Sequence, residues 1–108
     1  MAAFETVLRT AELGPGAVRE VKVHGRDIAV ANVGQTYYAV EAICPVDGTN
    51  LGRHGRLDGD MLICPRDDAH FDVRTGVRVD GAGALRPHSI QVSGNDVRVG
   101  PERDGDGA

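Results

Sequence analysis

An all-β fold, an antiparallel β-sandwich or small barrel, is the class this sequence predicts, and three observations carry it. Short runs rich in Val, Ile, Tyr and Thr recur with a period of two. Gly, Pro, Asn and Asp gather between those runs every few residues, and only residues 10–13 hint at a helical turn. About eight to ten short strands at this spacing bury their apolar faces by folding back on one another in antiparallel fashion.

Residues 4–8 read as a first strand, and Gly14-Pro15-Gly16 breaks the chain after it. Val21 and Val23 alternate with Glu20 and Lys22 up to the turn His24-Gly25-Arg26-Asp27. Residues 28–33 and 36–42 flank Gly34-Gln35 and form a hairpin that delivers the chain to Cys44. Asp58-Gly59 is a strong two-residue hairpin signal, because such turns need positive φ, and residues 61–63 run from it into Cys64. Further strands are expected at 71–73, 77–79, 89–92 and 97–99. Thr75-Gly76, the loop Gly81-Ala82-Gly83 and Gly94-Asn95 separate them.

At 108 residues the chain is long enough for one modest core. A single domain over residues 1–100 is expected, followed by a polar tail at 101–108, PERDGDGA, that frays. Twelve Lys and Arg against sixteen Asp and Glu leave a net charge of −4, which argues against nucleic-acid binding. No stretch reaches the roughly 18 apolar residues of a membrane span, and the N-terminus lacks the basic and apolar regions of a secretory signal. A cytoplasmic protein is the expectation. In that reducing compartment paired cysteines serve metals or redox chemistry more often than structural bridges.

The only two cysteines open matching stretches, ICPVDG at 43–48 and ICPRDDAHFD at 63–72. Each is followed by proline, which holds the cysteine backbone extended, and each has an aspartate three residues on, Asp47 and Asp67. Two soft thiolates with two carboxylates make a Cys2Asp2 donor set that suits iron or zinc. The plainer role of Asp47, Asp67 and Asp68 is to solvate loop tips. His70 reads as a surface histidine, as do His24, His54 and His88. Nothing resembles a Ser-His-Asp or Cys-His catalytic arrangement, so the chain alone is not expected to be an enzyme.

The run YYAVEAICPVDGTNLGRHGRLDGDMLICPRDDAHFDVRTG resembles the core of a Rieske-type [2Fe-2S] ferredoxin, with a frame extending over about residues 18–99. The resemblance implies a Rieske-type β-fold whose two-loop tip binds the cluster. In that family one loop reads Cys-x-His and the other Cys-x-x-His, with the cysteines on one iron and the histidines on the other. Cys44 and Cys64 fall on the cysteine positions. Val46 and Asp67 stand where the histidines would be. The resemblance therefore implies a [2Fe-2S] cluster of non-standard ligation, with Cys44, Cys64, Asp47 and Asp67 as cofactor and metal ligands. Exchanging imidazoles for carboxylates adds negative charge, lowers the potential and removes the protons that make a Rieske potential pH-dependent.

Two other occupants of the tip remain open. One is a disulfide between Cys44 and Cys64. The other is zinc, held by both cysteines and two of Asp47, Asp67 and His70. Two functions remain open as well. The first is a small soluble electron carrier whose partners are reductase or oxygenase components. The second is a cluster-less structural or regulatory subunit, similar to those found with some nitrite reductases.

Overall fold

The computed structural model describes residues 4–66 and 68–103. Its main body is a six-stranded antiparallel sheet in the order β1-β9-β8-β4-β3-β2. The strands are β1 Glu5–Arg9, β2 Val18–Val23, β3 Arg26–Val33, β4 Thr36–Glu41, β8 Pro87–Ser93 and β9 Asp96–Glu102. Edge strands β1 and β2 come into contact, so the sheet curls almost into a barrel. A second antiparallel sheet, β5 Arg56–Asp58, β6 Met61–Ile63 and β7 His70–Asp72, stands at one end and carries the second cysteine loop.

The chain can take this form because β3 is apolar on both faces. Ile28 and Val30 point into a core with Leu8, Tyr37, Val97 and Val99. Ala29 and Ala31 point the other way, into a second core with Val40, Leu62, Phe71 and Leu85. A strand buried on both sides reads as a continuous apolar run, as IAVA at 28–31 does. The second core includes both cysteines, so the small sheet's packing and the site share one set of contacts.

Each hairpin places positive φ where its sequence tolerates it. Both His24 and Gly25 are left-handed between β2 and β3, with φ of 51° and 80°. At the expected Asp58-Gly59 turn the strands instead flank Gly59-Asp60, and Gly59 alone takes positive φ, at 63°. The turn is one residue later because Asp58 pairs with Met61 as the last residue of β5. A Cβ on Gly76 would lie 1.8 Å from Leu85 O at a φ of 81°, so glycine is required there.

Several expectations need correction. Residues 77–79 form only isolated bridges, Val77 to Ala84 and Arg78 to Phe71, because Val77 and Val79 are exposed and stand outside both cores. A helical turn, α1 Leu51–His54, was not legible in the sequence. Asn50 caps it by accepting hydrogen bonds from the N–H groups of Gly52 and Arg53 at 3.0 and 3.1 Å. His88 is not on the surface but buried in β8, with its ring nitrogens 3.0 Å from Gly100 O and 3.1 Å from Glu41 Oε2. β9 runs to Glu102, two residues past the expected boundary, because Arg103 N–H still donates to Pro87 O. The rest of the tail, 104–108, lies outside the described residues. No helix among the described residues is long and apolar enough to cross a membrane.

Asp72 locks the end of β7. Its carboxylate accepts from Arg74 N–H at 2.9 Å and from the guanidinium at 3.0 and 2.8 Å, while Gly76 N–H donates to Asp72 O. The Arg74 guanidinium holds the Asp72 carboxyl below its usual range, outweighing burial. Because the folded-state pKa lies below the unfolded value of about 3.9, the stabilisation is present above that pH and is lost as pH falls through the folded value. Asp72→Asn should cost about 1–3 kcal/mol at neutral pH. Its urea midpoint should also fall less steeply than the parent's on acidification below about pH 4. Parallel midpoint-versus-pH curves would contradict this role.

Candidate metal centre

The two cysteine loops share one backbone pattern. In the first, Cys44 N–H donates to Thr49 O at 2.8 Å, and Gly48 N–H donates to Cys44 O at 2.9 Å. In the second, Cys64 N–H donates to Ala69 O and Asp68 N–H to Cys64 O, both at 3.0 Å. Positive φ falls at the same place in each, 80° at Gly48 and 62° at Asp68. Glycine takes this conformation freely and aspartate tolerates it, so the local sequences themselves set the matching turns.

Neighbouring elements fix the loops in space. Leu51 N–H donates to Ala42 O at 2.7 Å, and Ile43 bridges to Asn50 across the first loop's base. Asn50 and Arg53 both donate to the Glu20 carboxylate, at 2.7 and 2.9 Å, which anchors α1 to β2. Gly83, in the glycine loop, comes up against the Pro45 ring. Arg78 steadies that loop through Asp80 and Ala82 O.

The two thiols face each other from buried positions, with Cys44 1% and Cys64 0% exposed. Asp47 joins them. Its carboxylate oxygens lie 3.6 and 3.8 Å from Cys64 Sγ, and the donor atoms of Cys44, Asp47 and Cys64 all fall within 4.8 Å of one another. Thr49 N–H donates to Asp47 Oδ1 at 3.0 Å. That bond, helped by the Thr49 side chain and both thiols, holds the carboxyl below its ordinary range. Arg66 lies 3.9 Å away, exposed.

Of the four expected ligands, three converge, while Asp67 lies outside the described residues. Val46, at the first histidine position, is 48% exposed and offers no donor. His70 does not join the group. Its Nδ1 donates to Asp68 O at 2.7 Å and lies 3.4 Å from Asp80, bracing the second loop from outside. One site feature was not anticipated from sequence: the Thr49 hydroxyl is buried and turned toward the Asp47 carboxylate. A threonine after Asp-Gly reads as an ordinary turn residue, and only the packing around Cys44 shows it to be shielded.

The comparisons with known proteins agree with this frame. The Rieske [2Fe-2S] domain profile matches residues 3–88, and the chain belongs to that family. It is 36% identical over 100 residues to a protein named ferredoxin CarAc from Metapseudomonas resinovorans, covering 90% of this chain and 92% of that one. Among solved structures, the ferredoxin of carbazole 1,9a-dioxygenase from Nocardioides aromaticivorans IC177 has a TM-score of 0.85 at 25% identity, covering 92% of this chain and 98% of the other. A putative NADH-dependent nitrite reductase small subunit from Mycobacterium tuberculosis reaches 0.84 at 19% identity over 93% and 96% of the two chains, a likeness of fold alone.

A [2Fe-2S] cluster is the group this family implies. Its usual two-thiolate, two-imidazole ligation does not fit, because Val46 has no lone pair and the sequence has aspartate at 67. Thiolates with carboxylates are the donors this tip offers, and the convergence of Asp47 on the two thiols fits such a mixed set.

In reduced protein kept free of metal, Cys44 and Cys64 should pair on exposure to air. Their sulfurs lie within 4.8 Å, so a small loop movement closes the gap to the roughly 2.05 Å of a disulfide. Non-reducing mass spectrometry should show the chain lighter by two hydrogens, and two thiols that stay free after prolonged aeration would contradict this.

Proposed function

We propose that this chain is a small electron-transfer protein of the Rieske ferredoxin kind, serving an oxygenase or reductase system, and not itself an enzyme. The observation that carries this reading is the retention of two buried, facing thiols on equivalent loops, in a chain 36% identical to a ferredoxin. Cys44 and Cys64 would hold the cysteine side of a [2Fe-2S] cluster, with Asp47 and Asp67 as carboxylate donors. Such a cluster, when bound, takes up and releases single electrons.

The chain's own residues do the rest. Pro45 and Pro65 keep both cysteines extended, and the shared hydrogen bonds fix the loop shape. Ile43 and Val46 present an apolar surface beside the tip, where a protein partner would approach. The carrier is proposed to work in the cytoplasm, with a reductase or oxygenase component as partner. Domain limits of 1–100, with a short polar tail, belong to the same reading.

A cluster-less subunit is the second reading, and Val46 favours it. Iron, zinc and acid-labile sulfide per chain in anaerobically purified protein separate the two. Equal iron and sulfide are expected of the carrier, and their joint absence would leave the second reading standing.

A further inference from the structure

We propose that the loop tip is also a site for a single divalent metal ion of the zinc class, held by Cys44 Sγ, Cys64 Sγ and one Asp47 carboxylate oxygen. The inference rests on the thiolate–carboxylate tip described above but requires no cluster.

Distances carry it. In a tetrahedral site with metal–sulfur bonds near 2.3 Å and metal–oxygen bonds near 2.1 Å, sulfur and oxygen donors sit about 3.6 Å apart. The Asp47 oxygens lie 3.6 and 3.8 Å from Cys64 Sγ, and the three donors share a space no wider than 4.8 Å. Asp47 therefore reaches the same metal that both thiols face. From sequence Asp47 was one of three candidate partners for the cysteines, with Asp67 and His70; the structure brings Asp47 to them and leaves His70 outside.

Chemistry agrees with the distances. Thiolates select zinc-class ions over magnesium or calcium, and burial of both sulfurs shields them from water. On binding, both thiol protons leave to solvent, and two thiolates with one carboxylate leave the filled site with a charge of about −1. The fourth metal position is left to water.

The test is a titration with Co2+ alone. Protein isolated anaerobically, stripped of iron and kept reduced, should bind a single Co2+ per chain. Thiolate-to-cobalt charge-transfer absorption and the intense visible bands of tetrahedral cobalt should appear, and equimolar Zn2+ should abolish both. Asp47→Asn should weaken binding roughly tenfold or more, while Val92→Ala, at an exposed position on β8, leaves it unchanged. Expression in iron-depleted, cobalt-supplemented medium gives the same reading without stripping. Unchanged affinity in Asp47→Asn, or no cobalt spectrum by either route from a folded chain with both thiols free, would overturn the proposal. Iron and sulfide in the isolated protein with no cobalt binding would overturn it while leaving the electron carrier intact. Cobalt binding by a chain that never acquires iron and sulfide would do the reverse.

Discussion

A chain carrying Val46→His together with Asp67→His is expected to be brown, with a Rieske-type absorption spectrum and about two irons and two sulfides. The two-loop frame such a centre needs is in place: both loops close with the same pair of hydrogen bonds, and both take positive φ four residues after the cysteine. Val46 is half-exposed, so an imidazole at that position displaces no core side chain. Two neutral imidazoles in place of carboxylate donors should raise the potential and make it pH-dependent, because an imidazole proton is lost more readily from the oxidised centre. Titrating the potential between about pH 6 and 10 checks this second expectation, because the proton lost is the remaining N–H of a neutral, metal-bound imidazole, which the metal makes far more acidic than in the free ring. A colourless double variant that folds normally would show that the scaffold cannot retain a cluster even with the family's full ligand set.

Phe71→Ala should cost about 3–5 kcal/mol, a large part of the roughly 5–15 kcal/mol that holds a domain of this size together. Phe71 is 0% exposed and is the bulkiest fully buried side chain, in a core otherwise built largely from Ala, Val, Leu and Cys. Small neighbours cannot collapse into the space a phenyl ring leaves, so a cavity would persist. The same core holds Cys44 and Cys64, so metal retention should fall together with stability. Urea denaturation of the metal-free reduced chain isolates the packing effect. A loss under about 1 kcal/mol would mean that the core repacks around the gap.

Much of the fold was legible because its signals are local. Period-two runs and Gly- or Asn-containing turns located β1, β2, β3, β4, β6, β7, β8 and β9 to within a few residues. Signals failed where tertiary contacts decide. Val77 and Val79 look like strand residues but stand outside both cores. Residues 51–54 are too few to show helical periodicity, and they form a turn through the Asn50 cap and the Glu20 anchor. His88 looked like a turn residue because Pro87 and Ser89 flank it, yet pairing with β4 and β9 buries it.

By itself the sequence determined the frame of the site: two Cys-Pro-x-Asp loops, their family, and Val46 and Asp67 where the resemblance puts histidines. Those are matters of residue type and spacing. Only the tertiary structure decided which donors share a point in space. A loop's register states how far along the chain Asp47 lies from Cys44, but not that its carboxylate comes close to two sulfurs on separate loops. That convergence comes from two loops closed by equivalent hydrogen bonds and packed against one core, and it joins Asp47 to the cysteines.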